Sequence, residues 1–168
     1  EKPVVLNPEL IKKSTTQIKS HFENHGYFTA LVSPKIKYKK QSAYVNYDIQ
    51  TGDLYLINNI KYTPSKKQKI NTIIQQNAHN SQIKKGDIFK YSALNNERIR
   101  LEKLLQDNGY YKFSKDLIYI QADSTKNKSV DINFFLEENK TDSLVYSKFN
   151  IQNIFIHLNN NDATNQDT

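Results

Sequence analysis

A repeat limits what this 168-residue chain can fold into more than any other feature. Phe22-Glu-Asn-His-Gly26-Tyr27-Phe28 is answered by Leu105-Gln-Asp-Asn-Gly109-Tyr110-Tyr111, an offset of 83 residues from Gly26 to Gly109. At the same offset Ile11, Ile18 and Phe22 become Leu94, Leu101 and Leu105, spaced by seven and four, which puts each trio on one helical face. Asn7-Pro8-Glu9 supplies an N-cap, a first-turn proline and an acid for the first helix, and Ser92 is the expected cap of the second. Gly26 and Gly109 follow the last apolar residue of each helix, where a left-handed residue closes the end. Each copy therefore reads as helix, glycine stop, aromatic pair.

Two extended runs follow each aromatic pair. Leu31–Lys39 precedes Ala43–Gln50, in which Ala43, Val45, Tyr47 and Ile49 alternate with polar partners. Leu117–Ala122 precedes Val130–Leu136, with Val130, Ile132, Phe134 and Leu136 on one face. Period-two alternation marks half-buried strands, and the short polar connections Lys40-Gln41-Ser42 and Ser124–Lys128 mark hairpins. The second copy is more complete. Ahead of its Gly109 helix stand a strand, Leu54–Tyr62, and an amphipathic helix from about Pro64-Ser65 with Ile70, Ile73, Ile74 and Asn77 on one side, joined onward by Gly86-Asp-Ile-Phe89. Its order is β-α-α-β-β. The fold class expected from this order is α+β in tandem modules. The boundaries expected are a partial module over 1–53, a complete one over 54–140, a linker and the first strand of a following module or barrel junction over 141–158, and a frayed tail over 159–168.

Composition fits thin, two-layer cores. Hydrophobic residues are only 37% and mean hydropathy is −0.75, yet 11% of residues are aromatic, too many for a disordered chain. No apolar run approaches the ~18 residues of a membrane helix. With no Met in the chain, Glu1 is read as a start left by processing or truncation. Absent cysteine excludes disulfides, thiolate catalysis and Cys-based zinc sites. Residues 1–90 hold 15 Lys and Arg against 6 Asp and Glu, a net of +9, whereas residues 91–168 hold 9 against 11, a net of −2. Arg98 and Arg100 are the sole arginines. A lysine surface supplies only salt-sensitive, sequence-blind contacts to nucleic acid, so no nucleic-acid partner is expected.

Gly86-Asp-Ile-Phe89, Asn96-Glu-Arg-Ile-Arg-Leu-Glu-Lys-Leu-Leu105, Asn108-Gly-Tyr-Tyr-Lys-Phe113 and the strand Asp116–Asp123 together resemble the polypeptide-transport-associated (POTRA) domains of outer-membrane assembly factors of the BamA and TamA family. Lys2-Pro-Val-Val-Leu-Asn7, Asn24-His-Gly-Tyr-Phe28 and Tyr47-Asp-Ile-Gln-Thr-Gly52-Asp-Leu-Tyr55 repeat the resemblance, which runs over residues 2–157. It implies that each module is a three-stranded mixed sheet covered on one face by two helices, a periplasmic location as part of an outer-membrane protein, and a non-enzymatic scaffold or chaperone role without cofactors. The implied partners are unfolded outer-membrane proteins, accessory lipoproteins or periplasmic chaperones, and the outer membrane through a barrel outside this chain. A cell-division or envelope scaffold using the same module without a barrel is the alternative, and a basic nucleic-acid-binding α+β domain ranks behind it.

A small sheet covered on one face leaves a free edge on which an incoming strand pairs through main-chain bonds. In the family this edge is the strand after the Gly-Tyr-aromatic stop. The first such strand carries Lys35, Lys37, Lys39 and the adjoining Lys40, with Pro34 removing a donor, a usual guard against edge pairing. The second reads Leu117, Ile118, Tyr119, Ile120, Gln121, without charge, and is the expected docking edge. Lys35, Lys37, Lys39 and Lys40 together with Lys66, Lys67 and Lys69 form the expected basic surface toward anionic headgroups.

Other motifs read as structural. His21 and His25 lack the Glu directly after the first His that a zinc protease helix needs, so no metal site is assigned. The serines have no glycine-rich elbow, and Glu137-Glu138 reads as a strand end, so no catalytic residue is assigned. Asn127-Lys-Ser and Asn139-Lys-Thr are read as turns. Tyr27-Phe28 and Tyr110-Tyr111 with Phe113 are expected to pack between helix end and strand.

Overall fold

The computed structural model describes residues 5–63, 66–126, 128–137 and 143–157. The expectations that rest on residues 2–4, Pro64-Ser65, Asn127, Glu138, Asn139 and 159–168 lie outside them. The first unit is a helix, α1 (Pro8–Glu23), followed by a hairpin of β1 (Leu31–Lys39) and β2 (Ser42–Gln50). The Asn7 side chain accepts the Glu9 N–H at 2.9 Å, capping α1 as its sequence predicts. Gly26 closes it at φ +90°, a conformation in which a side chain is strained. Helix α1 packs on β1, and Val32, Ala43, Val45 and Tyr47 are half-buried on the facing side of the sheet.

The second unit contains β3 (Leu56–Tyr62), α2 (Gln68–Gln76), α3 (Tyr91–Asp107), β4 (Ile118–Lys126) and β5 (Ser129–Leu136). Its sheet has the order β3-β5-β4, with β3 parallel and β4 antiparallel to the central β5. This is the α+β arrangement with a three-stranded mixed sheet that the resemblance implied. Val130, Ile132, Phe134 and Leu136 are buried on one face of β5, under Ile70 and Ile74 of α2 and Leu94, Leu101 and Leu105 of α3. The two copies of the apolar trio meet different fates. In α3 all three are at most 1% exposed, while in α1 no residue is fully buried. The difference follows from what covers them: the second unit has α2 and β3, and α1 with its hairpin has no counterpart among the described residues.

The units join through the glycine stops. The Gly26 carbonyl accepts the Tyr55 N–H at 2.9 Å, and the Asn24 carbonyl accepts that of Tyr91 at 2.9 Å. Phe28 packs its ring against Tyr55 and Phe89, with centroids 5.0 and 4.9 Å apart. The second glycine repeats the motif, its carbonyl accepting the Phe149 N–H at 2.7 Å. Phe149 then meets Tyr111 edge-on, and the Lys112 ammonium lies 5.8 Å from its ring centre.

Four local expectations change. Ser92 does not cap α3: the helix starts at Tyr91, whose N–H is satisfied by the Asn24 carbonyl of the preceding unit, so no side-chain cap is formed. Leu117 lies in a 3₁₀ turn, Lys115–Leu117, rather than in the strand, because Ser114 caps that turn through the Asp116 N–H. Residues 147–157 form no strand, and Ile151, Ile154, Phe155 and Ile156 are three-quarters exposed or more, since no strand among the described residues pairs with them. Of the second aromatic pair Tyr110 is buried with Phe113, but Tyr111 is 74% exposed and serves the Phe149 contact instead.

Candidate functional site

The two edges of the three-stranded sheet differ. At the start of β3 the edge is closed by the chain itself: the Ile57 N–H donates to the Asp87 carbonyl at 2.8 Å, the Gly86 N–H to the Ile57 carbonyl at 2.7 Å, and the Phe89 N–H to the Tyr55 carbonyl at 3.1 Å. Leu56 and Ile88 form an antiparallel bridge there. The Gly86-Asp-Ile-Phe89 stretch thus acts as a short covering strand. Along β4 no described residue forms a ladder on the outer side.

Which groups of β4 face outward follows from the register. Leu117 stands opposite Glu137 in line with the Ile118↔Leu136 pairing, and the Leu117 carbonyl accepts the Glu137 N–H at 2.8 Å. Bonded pairs alternate in an antiparallel ladder, so Tyr119 and Gln121 point their main chain at β5, while Ile118, Ile120 and Ala122 point theirs away. The opposite side agrees, because the Phe134 carbonyl, across from Ile120, turns from β4 to accept the Thr63 N–H at 2.8 Å. The Ile118 N–H is taken by Lys115. The Ile118 carbonyl and both main-chain groups of Ile120 and Ala122 form the open edge.

Side chains alternate with this pattern. Leu117 and Ile118 are buried and Ile120 is half-buried on the helix side, whereas Tyr119 and Gln121 are exposed on the outer face. The Tyr119 ring stacks on Phe135 of β5, 5.6 Å between centroids at 20°. Further along the same face Asp123 stands opposite Asp131, which accepts the Asn58 amide at 2.7 Å. Helix α3 fixes the start of β4: Arg98 donates to the Lys115 carbonyl at 2.8 and 3.1 Å, Glu102 accepts the Lys115 N–H at 3.0 Å, and Gln106 donates to the Phe113 carbonyl at 2.9 Å.

The lysines of the expected basic surface belong to two units. Lys35, Lys37 and Lys39 alternate onto the face of β1 away from α1, in a row with Lys40 at the turn, and Lys35 pairs with Asp48 of β2. Lys66, Lys67 and Lys69 stand at the start of α2 in the other unit, with the Lys67 ammonium 5.3 Å from the ring centre of Tyr146.

Sequence reasoning missed a buried polar cluster. Glu97 is 2% exposed, accepts the Tyr62 hydroxyl at 2.6 Å, and takes two bonds from Arg100 at 2.6 and 2.8 Å. The signal was present, since Glu97 interrupts the apolar face between Leu94 and Leu101. Burial, and then the bond to Glu97, push the Tyr62 hydroxyl up to about 12. His21 and His25 touch ring to ring, and His25 Nδ1 bonds the His21 carbonyl at 2.7 Å, a helix-end contact.

Residues 2–52 match the family model described as POTRA, surface antigen variable number repeat. No curated protein matches the chain. Among solved structures it is similar to BamA from Haemophilus ducreyi lacking POTRA domains 1–3, at 17% identity and TM-score 0.49, over 84% of this chain and 25% of that one. It is similar to BamA POTRA3–5 from Haemophilus influenzae at 15% identity and TM-score 0.42, over 80% of this chain and 52% of that one. POTRA1–3 of the periplasmic domain of Omp85 from Anabaena match at 14% identity and TM-score 0.35, over 81% of this chain and 53% of that one. The chain spans from a quarter to about half the length of these structures.

Proposed function

We propose that the chain is a non-enzymatic periplasmic scaffold built of tandem POTRA modules, part of an outer-membrane β-barrel assembly factor. The family match covers residues 2–52, and the 83-residue repeat extends the same reading to residues 54–140. The repeated junction supports a further module: the Phe149 N–H meets the Gly109 carbonyl as that of Tyr55 meets Gly26, at the point where a following unit would begin. On this reading the modules receive unfolded outer-membrane polypeptides or accessory subunits, and β4 is where they dock by adding a strand.

The observation that carries the proposal is the contrast between edges: residues 86–89 cover the start of β3 at Tyr55–Ile57, and no described residue forms a ladder on the outer side of β4, which is uncharged from Ile118 to Ala122. On β1 the corresponding edge is guarded. The two-residue turn Lys40-Gln41 makes Lys39↔Ser42 a bonded pair, which places Pro34 in the outward phase, where its missing N–H removes a donor that only a new strand would use. A photocrosslinker at Tyr119 is expected to capture an unfolded β-barrel polypeptide, with little capture from Ile36 on β1. Capture from Ile36 and none from Tyr119 would overturn the assignment.

A further inference from the structure

The end of α1 brings together the two histidines that stand four apart in the sequence. His21 and His25 are both exposed, and their rings lie 4.4 Å apart between centroids, tilted by 35°. A carbonyl oxygen can only accept, so the 2.7 Å bond between His25 Nδ1 and the His21 carbonyl puts the proton on Nδ1 and leaves the lone pair of the neutral ring on Nε2. Metal-ligating imidazoles are held in the same way: one ring nitrogen donates to a carbonyl or carboxylate and the other takes the ion. We infer that His21 and His25 chelate a divalent transition cation of the imidazole-preferring class, Zn²⁺ foremost, and that the bound ion braces the joint between the two units.

Two ring nitrogens on one tetrahedral ion, each at ~2.0–2.1 Å from it, stand ~3.3–3.4 Å from each other. The imidazoles are already in contact, and His21, on the surface, reaches that spacing by a turn of its side chain. The carboxylate between them in sequence, Glu23, is paired with Lys19 at 3.6 Å, and among the described residues no group of three or more His, Cys, Asp or Glu forms a metal cluster. Water therefore fills the remaining positions, which makes this an open, exchangeable site rather than a closed structural one. Imidazole ligands favour Zn²⁺, Ni²⁺ and Cu²⁺ over Mg²⁺ and Ca²⁺, which prefer oxygen. The glutamate of a zinc protease helix serves hydrolysis, so its lack leaves chelation untouched.

The place of the pair gives the ion a consequence. His25 stands between Asn24 and Gly26, whose carbonyls accept the Tyr91 and Tyr55 N–H groups at 2.9 Å each, the main-chain bonds that join the second unit to the first. An ion that ties His25 back to His21 restrains the turn from which both carbonyls project. Because it binds the ordered turn and not a frayed one, it stabilises that turn by mass action.

The test titrates the whole chain with Zn²⁺, followed by imidazole nitrogen NMR, calorimetry and amide exchange. Zn²⁺ is expected to shift the ring nitrogens of His21 and His25, to leave those of His79 and His157 in place, and to slow exchange at the Tyr55 and Tyr91 amides. Mg²⁺ is expected to do none of this. His21→Gln and His25→Gln, both at exposed positions, are expected to keep the thermal transition of the metal-free chain and to weaken Zn²⁺ binding roughly tenfold or more. The NMR readout uses the wild type, so it decides the assignment even where a variant loses its fold. Ring nitrogens of His21 and His25 that do not shift, an affinity unchanged in either folded variant, or an equal response to Mg²⁺ overturns the site. Shifts at the pair with unaltered exchange at Tyr55 and Tyr91 overturn the brace and leave the chelate standing.

Discussion

At Gly26 a Cβ would lie 3.1 Å from the Phe89 carbonyl oxygen and 3.2 Å from that of Tyr55, whereas one at Gly86 would meet nothing within 4 Å, although both glycines have φ near +90°. Alanine at Gly86 is expected to cost only the backbone strain of a left-handed residue, ~1–2 kcal/mol. Alanine at Gly26 adds a crowding cost, of order 1–3 kcal/mol, because rigid carbonyls rather than side chains must move. Denaturant titration of the two variants measures the difference, and equal losses would show that the junction yields freely. A second residue-scale expectation concerns Tyr62. Its folded-state pKa, about 12, lies above the ordinary value of 10.0, so the fold favours the neutral phenol. That contribution is complete below pH 10 and is lost as the pH rises through about 12. Wild type should therefore lose stability over this alkaline window more steeply than Tyr62→Phe, which lacks the titrating group and its bond to Glu97. Glu97→Ala leaves the half-buried Arg100 guanidinium without its carboxylate, a change expected to cost ~3–5 kcal/mol in thermal or denaturant unfolding.

Among the elements, helix α3 does two things at once: its apolar face closes the core, and its Arg98, Glu102 and Gln106 side chains hold the turn that launches β4. Arg98→Ala is expected to lower stability by ~1.5–3 kcal/mol, the worth of bonds from a charged donor, and to speed amide exchange at Leu117 and Ile118 before the rest of β4. Exchange unchanged at those amides would show that Ser114, Glu102 and Gln106 hold the turn without Arg98. Much of this level was legible in the sequence, because helical and strand periods are local. The trios at Ile11, Ile18, Phe22 and Leu94, Leu101, Leu105, the Asn7 cap, and the alternation of Val130 to Leu136 all needed only neighbours along the chain. What was not legible depends on pairing across it. Ser92 lost its cap role to the Asn24 carbonyl of another unit, Leu117 was drawn into the Ser114 turn, and the outward phase of β4 was set by the Glu137 bond. Glu97 was missed because a helical count scores it as a flaw in the stripe, although its partners come from β3 and the next turn.

For the whole molecule, the uneven charge has a geometrical form. The lysine row of β1 is displayed on the face of its hairpin that α1 leaves free, and Lys66, Lys67 and Lys69 belong to the other unit. Replacing Lys35, Lys37 and Lys39 with Gln is expected to weaken binding to vesicles rich in anionic lipid by about 1 kcal/mol per lysine, with wild-type binding falling as salt is added. Salt-independent sedimentation with vesicles would remove electrostatics as the cause. The two glycine junctions also set how the units share a load. The first is held by two main-chain bonds and a cluster of three rings, Phe28, Tyr55 and Phe89; the second by one bond and the exposed ring of Phe149. In mechanical terms these are a stiff spring and a soft one in series. Deflection concentrates in the soft member, so a load applied at β4 is expected to pass toward the first unit as through a lever arm, while the stretch from Phe149 onward takes up the bend.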